Sequence, residues 1–216
     1  MESTPGIMGH LRDATRELHK EAESRPLQRS MARGVLPRGA YAMYLGQLRH
    51  LHAALEEALD AALPSAPALA PLHTDERRRV PDLDRDLAAF GVDVPDVPVL
   101  PQTQRFIDRV RQIGTESPVA LLGPLYVLEG STNGGKFLAR VLERSLQLEN
   151  ENGLAYMDPY GDDQPRMWAS FKRIADEIPL SPEQSRAVTD AARRTFEAIA
   201  EISDAIIPPA TGASED

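Results

Sequence analysis

The stretch Leu125–Arg140, LYVLEGSTNGGKFLAR, decides how the chain is read. It begins and ends with the spacing of a buried helix: Leu125 and Leu128, then Phe137, Leu138, Val141 and Leu142. Its middle holds Gly130, Gly134 and Gly135. Each interior glycine costs a helix roughly 0.5–1 kcal/mol relative to alanine, so three forgo roughly 2–3 kcal/mol. Three explanations compete: two helices packed closely through small residues, a kink, or a flat ligand laid against backbone where no Cβ stands. A phosphate loop fits poorly. Neither G-x-G-x-x-G nor G-x-x-x-x-G-K-[ST] order is present, and the run follows helical rather than strand periodicity.

Working outward, 216 residues at 42% hydrophobic content suffice for one domain with one core. The net charge of −9 disfavours nucleic acid or an anionic membrane as partner, since both attract a basic face. Cysteine is absent, which excludes disulfides, cysteine–zinc sites, iron–sulfur clusters and thiolate ligation. The N-terminal stretch is charged and amphipathic, with no apolar signal core. The apolar run Val119–Leu128 is too short to span a bilayer. The expected organisation is a domain over 1–207, a polar tail over 208–216, and a cytoplasmic location.

Helical signals dominate. Thr4-Pro5 opens a helix whose stripe is Ile7, Leu11, Ala14, Leu18 and Ala22, ending before Pro26. Gly34–Pro37 reads as a turn. Arg38–Leu63 carries a narrow seam of Tyr41, Leu45, Leu48, His52, Leu55 and Leu59, stopped by Pro64. SAPALAP reads as a surface connection, and 75–90 as one or two short helices interrupted by Pro81. A Pro- and Val-rich linker over 91–101 precedes an amphipathic helix over 102–116 with Phe106, Val110 and Ile113 inward. The glycine-bearing helix is expected from Pro118 to about Leu148. The loop 149–165 packs down through Tyr156 and Tyr160, and a short helix over 165–178 bears Trp168 and Phe171. Ser181 with Gln184 forms a capping box for a final helix carrying Val188, Ala191, Thr195, Phe196, Ile199 and Ile202. No strand-length alternation and no repeat is present, so the fold class is all-α, a single-domain helical bundle.

Chemistry centres on few residues. Arg12, Arg16 and His19 share one helix face at i, i+4 and i+7. An imidazole above two cations suits a ligand with a metal centre and anionic groups at one edge: imidazole is an axial ligand of haem iron, and arginine suits carboxylates. The same face also reads as a solvated surface. His52 sits in the seam, either as a hydrogen-bonded core residue or as a distal proton donor. His10, His50 and His73 read as structural or surface residues. A di-iron carboxylate site is excluded because no acidic residue stands three before any histidine, and the hydrolase elbow G-x-S-x-G is absent. The numerous acidic residues read as solvated faces.

Two segments resemble the haem oxygenase family. LRDATRELHKEAE with LGQLRHLHAALEEAL looks like its proximal helix and the helix after it, and SPVALLGPLYVLEGSTNGGKFLARVLE looks like its distal helix. WASFK and SPEQ follow in the same order, so the resemblance covers Gly6 to Ile207. The LYVLEGS form is similar to bacterial members, including those found beside bacterial phytochromes.

The resemblance implies that haem (iron protoporphyrin IX) is both cofactor and substrate, opened with O₂ and electrons to biliverdin, Fe²⁺ and CO. It implies His19 as the iron ligand and Gly130, Gly134 and Gly135 as the glycines facing the ring. It implies Arg12, Arg16 and Tyr126 as propionate contacts, Lys172 as a basic cofactor-binding site after the family's phenylalanine, and Phe196 as an aromatic of the pocket wall. His52 falls where many members place a tyrosine of the distal water network. Animal members carry an aspartate after the first distal glycine, where this chain has Ser131. Ser131, Asn133 and His52 are therefore the candidates for ordering distal water. A ferredoxin or flavin reductase is implied as electron donor, and a bilin-accepting phytochrome as a partner. The alternatives are a non-catalytic haem-binding or haem-trafficking protein on the same fold, and a haem-free bundle of the thiaminase-like kind.

Overall fold

Helix α3 (Arg38–Ala62) runs through the middle of the molecule. Its burial is much wider than the expected seam, because Ala42, Tyr44, Gly46, Leu51, Ala54 and Ala58 are buried as well. Small residues let neighbours come close around most of its circumference. At Gly46 the space a Cβ would need is taken by the Val97 side chain. The structure, a computed structural model, describes residues 6–148 and 152–209. Thr4-Pro5, part of the loop 149–165 and most of the 208–216 tail lie outside them.

Eight α-helices form among the described residues: α1 (Ile7–Ser24), α2 (Pro26–Arg33), α3, α4 (Val80–Ala89), α5 (Pro101–Glu116), α6 (Leu122–Ser145), α7 (Gln164–Asp176) and α8 (Pro182–Ile206). No strand is present among these residues, and none of the helices is long and apolar enough to cross a membrane. Helix α3 packs on α4 and α5, and α8 packs on α1, α5 and α6.

Three local expectations are corrected. Pro26 ends α1 but also starts α2, because proline at the first helical position lacks an N–H that would have no partner anyway. Helix α2 closes at Gly34, whose φ of 68° is the left-handed cap that glycine adopts without strain. SAPALAP is not a surface strap: Pro67–Leu72 winds into a 3₁₀ helix whose i, i+3 residues Leu69 and Leu72 are fully buried. Pro81 lies in the first turn of α4 rather than interrupting a helix. The capping box forms as expected, with Gln184 N–H donating to Ser181 Oγ at 3.1 Å and Ser181 N–H to Gln184 Oε1 at 2.8 Å.

The core is not one cluster but two. The first joins Leu11, Leu55, Leu59, Leu121, Leu128, Phe171 and Val188, among others. The second joins Leu27, Met31, Tyr41, Leu45, Leu87, Leu142 and Tyr156. Helix α6 feeds the first cluster through Leu122–Leu128 and the second from Ala139 and Leu142 onward. The glycine run occupies the interval between them.

Gly123, which the spacing gave no reason to single out, is the close-packing glycine of α6. A Cβ there would collide with the Val188 carbonyl and the Ala192 backbone nitrogen of α8. Backbone cannot swing aside as a side chain can, so Gly123→Ala should destabilise the fold by at least ~1–3 kcal/mol. Thermal unfolding checks this, and a melting temperature within a degree of the parent would refute it.

Candidate active site

A cavity of about 580 Å³ lies where the two clusters meet. Its wall draws Leu128 and Phe196 from one cluster and Met31, Tyr44 and Tyr156 from the other. Helix α6 runs unbroken across it, and neither Gly130, Gly134 nor Gly135 adopts positive φ. The glycines therefore do not interrupt the helix.

Their roles differ. A Cβ on Gly134 would meet nothing within 4 Å, so this glycine leaves bare backbone facing open space. A Cβ on Gly130 would make ordinary contact with Trp168 at 3.5 Å. Gly135 lines the cavity, but its missing Cβ serves close packing: a Cβ there would collide with the Met157 carbonyl. Close packing thus accounts for Gly135, while Gly134 leaves bare backbone beside open space.

His19 of α1 lines the same cavity. Its side chain is 55% exposed, with Nδ1 3.6 Å from Glu23 Oε2 one turn on. The Phe196 ring of α8 meets the imidazole edge-on, with centroids 5.6 Å apart. The ring is thus oriented by a carboxylate and an aromatic while remaining accessible. Tyr126, Ser131 and Asn133 also line the cavity. Burial pushes the Tyr126 phenol up, while the Thr15 hydroxyl and the Arg12 guanidinium oppose this. Arg12, Arg16 and Lys172 are exposed and form no part of the cavity wall. Both arginines reach Asp13 instead, Arg12 at 3.2 Å and Arg16 at 2.7 Å.

Ser131 and Asn133 turn donors back onto their own helix. Ser131 Oγ donates to the Leu128 carbonyl at 2.7 Å, and Asn133 Nδ2 to the Gly130 carbonyl at 2.8 Å. His52 does not reach the cavity wall. It is buried, and its Nε2 lies 3.2 Å from the Tyr156 hydroxyl, with the two rings edge-on. Tyr156 does line the cavity. Burial holds the His52 imidazole neutral, its pKa pushed down to about 3, and Arg79 adds to the shift.

Tyr156 is set by Asp86 of α4. The Ala155 N–H donates to Asp86 Oδ1 at 2.9 Å and the Tyr156 N–H to Oδ2 at 2.8 Å. Behind α6, Glu129 is buried against Arg77 at 2.5 Å and accepts from the Tyr160 hydroxyl at 3.0 Å. Burial pushes its carboxyl up, and Arg77 is the strongest of the groups that oppose this. Asp86 and Glu129 correct the reading of the acidic residues as solvated faces. Nothing in a periodicity marks either one, although Glu129 interrupts an otherwise apolar stretch.

In this all-α bundle an accessible imidazole and a helix with bare backbone line one largely apolar cavity. The family model described as "Heme oxygenase" matches residues 7–205. A haem oxygenase of Takifugu rubripes is 31% identical over 204 residues, covering 91% of this chain and 72% of its own length. The structure of heme oxygenase from Leptospira interrogans superposes with a TM-score of 0.86 at 26% identity, over 93% of this chain and all of that one. Heme oxygenase-1 of Synechocystis, solved in complex with heme, shares the fold at TM-score 0.86 and 22% identity, over 94% of this chain and 93% of its own. The chain belongs to the haem oxygenase family, and by that membership is an enzyme of haem degradation.

The Asp86 carboxyl titrates in a measurable range. Burial raises its pKa to about 6, against the pull of the Tyr156 and Ala155 N–H groups. The native state therefore binds more protons than the unfolded chain between about pH 4 and 6. The stability linked to this group is fully present below that window and falls as pH rises through it, by about 3 kcal/mol in the limit. Asp86→Asn cannot titrate. Urea unfolding should show the wild type losing stability relative to this variant from pH 4 to 6.5, and a pH-independent gap would contradict the shift.

Proposed function

We propose that the cavity binds haem, with His19 as iron ligand and the bare face of α6 against the opposite side of the ring. One observation carries this reading: His19 and the open backbone at Gly134 line one and the same cavity. The volume of about 580 Å³ lies within the range of enclosed small-molecule sites. The lining is mainly apolar, as a porphyrin requires.

When bound, the haem supplies the iron that activates O₂, and its own ring is what is opened, to biliverdin with release of Fe²⁺ and CO. The chain positions and hydrates. Glu23 and Phe196 flank the His19 ring and narrow the orientations in which it would be presented. Bare backbone at Gly134 leaves room that a side chain would fill. Tyr126 at the cavity wall, with Arg12, Arg16 and Lys172 exposed outside it, would hold the propionates. Tyr156 and Ser131 order water on the glycine side, with His52 acting through Tyr156. Electrons would come from a ferredoxin or flavin reductase, and the reaction would serve either iron acquisition or the supply of bilin to a phytochrome.

Titration with haem should give a saturable Soret band, and aerobic turnover with a ferredoxin system should give biliverdin on chromatography. A stable complex that never yields biliverdin would identify a carrier instead. His19→Ala should abolish ring opening while leaving loose haem binding. Gly134→Ala should stabilise the apoprotein by ~0.5–1 kcal/mol, because helix propensity improves and nothing is displaced. Gly134→Leu should fold normally yet weaken haem binding by about tenfold or more, since its side chain occupies the ligand's space. Haem affinity unchanged in Gly134→Leu would sink the placement.

A further inference from the structure

The start of α1 carries no cap of its own. Gly6 stands at the N-cap with no side-chain hydrogen bond, and the first turn holds no acidic residue. The free N–H groups of a first turn need an acceptor, and a carboxylate there also meets the positive end of the helix dipole. That acceptor comes from 168 residues along the chain: the Met8 N–H donates to Asp176 Oδ1 at 2.9 Å. Gly6 leaves the room for it, because a Cβ there would collide with the Asp176 carboxyl.

Asp176 is the last residue of α7, at the end of a helix where negative charge is disfavoured. Its neighbour Glu177 is offset by Arg173 at 3.0 Å, one turn back. Asp176 turns to α1 instead, so its placement serves the other helix rather than its own. Trp168, Lys172 and Asp176 stand at i, i+4 and i+8, on one face of α7. Trp168 lines the cavity, and the Cβ that Gly130 lacks would touch its ring at 3.5 Å. Helix α7 packs on both α1 and α6. At a rise of about 1.5 Å per residue, His19 lies about 16 Å along α1 from Met8, and Trp168 about 12 Å along α7 from Asp176. Both arms lead from one pinned contact to the cavity wall.

We propose that Asp176 is a positioning residue for His19. By holding the start of α1 against the end of α7, it sets the register between the imidazole and the Trp168 wall, and so the width of the slot. This rests on the reading of the cavity as the haem site with His19 as iron ligand. Asp176 forms no part of the cavity wall and acts only through the two helices. Helix α8 also packs on α1. Apolar contact of that kind is non-directional, whereas a hydrogen bond to one N–H fixes a register.

The test uses the full chain and separates holding from capping. Asp176→Ala removes both. Adding Gly6→Asp moves the carboxylate onto α1 itself, where an N-cap aspartate satisfies the first turn without reaching α7. The Gly6 backbone, at φ −60° and ψ 171°, is one that aspartate adopts freely. Asp176→Asn keeps an acceptor in place. Trp168 is the only tryptophan. In haem-free protein its quenching by acrylamide should rise about twofold in Asp176→Ala and stay raised in the double variant. The double variant should nevertheless regain the wild-type melting temperature. Haem affinity should fall about fivefold in both, with a shifted iron–histidine stretching band in the ferrous complex. Asp176→Asn should match the wild type throughout. If the double variant regains quenching, affinity and band position along with its melting temperature, Asp176 is only a cap and the proposal is overturned. An Asp176→Ala variant identical to the wild type overturns it equally. Should Asp176→Ala fold poorly, the double variant decides alone on the same readouts. Should the wild type fail to bind haem, the cavity reading falls, and the quenching still decides whether Asp176 sets the slot.

Discussion

The rest of the molecule depends on an absence of side chains along one face of a single helix. Helix α6 contributes ordinary apolar residues to one core cluster, then a glycine-rich interval, then ordinary apolar residues to the other cluster. Two bodies of packed side chains are thereby held apart at a fixed separation by a continuous helix. The space between them is the cavity, and α1 closes it from the other side with His19. Packed interiors tolerate few voids larger than a water.

Holding a side-chain-poor helix in place requires contacts from elsewhere, and polar groups supply them. Glu129 precedes Gly130 directly and is locked to Arg77 and Tyr160. Arg79 reaches Tyr160, and its guanidinium lies over that ring, 4.8 Å from the centroid. Asp86 clamps the loop whose Met157 carbonyl rests where the Gly135 side chain would be. The back of α6 is thus fastened by charge and hydrogen bonds, and the front is left free for a ligand. Removing one member of such a buried pair is far more damaging than never having had it, since the partner remains uncompensated.

The helices were legible because their apolar residues repeat at three and four, and proline, glycine and the Ser181 box mark their ends. The glycine run stands out in the sequence because its helix-breaking composition has no local reason, and it lines the cavity. What escaped notice was set by tertiary contact. Pro26 starts a helix as readily as it stops one, and only packing of Leu27 and Met31 shows which. Gly123 and Gly135 are needed by backbone atoms far along the chain, Val188 and Met157, and no local pattern announces that. Tyr156 was expected to pack down, yet its link to His52 spans 104 residues and belongs to the fold alone. His52 lies one residue removed from the cavity wall, behind Tyr156.

A hole of about 580 Å³ between two halves of a core has a consequence for how long the protein lasts. The empty chain forgoes the dispersion contacts a filled interior would have. An occupant that binds only the folded state adds stability by mass action, about 2.7 kcal/mol at a hundredfold excess over its dissociation constant. Resistance to heat and proteases therefore rises with the supply of the molecule the enzyme destroys. Once that supply is exhausted, the protein returns to its weakest form and becomes the more readily cleared.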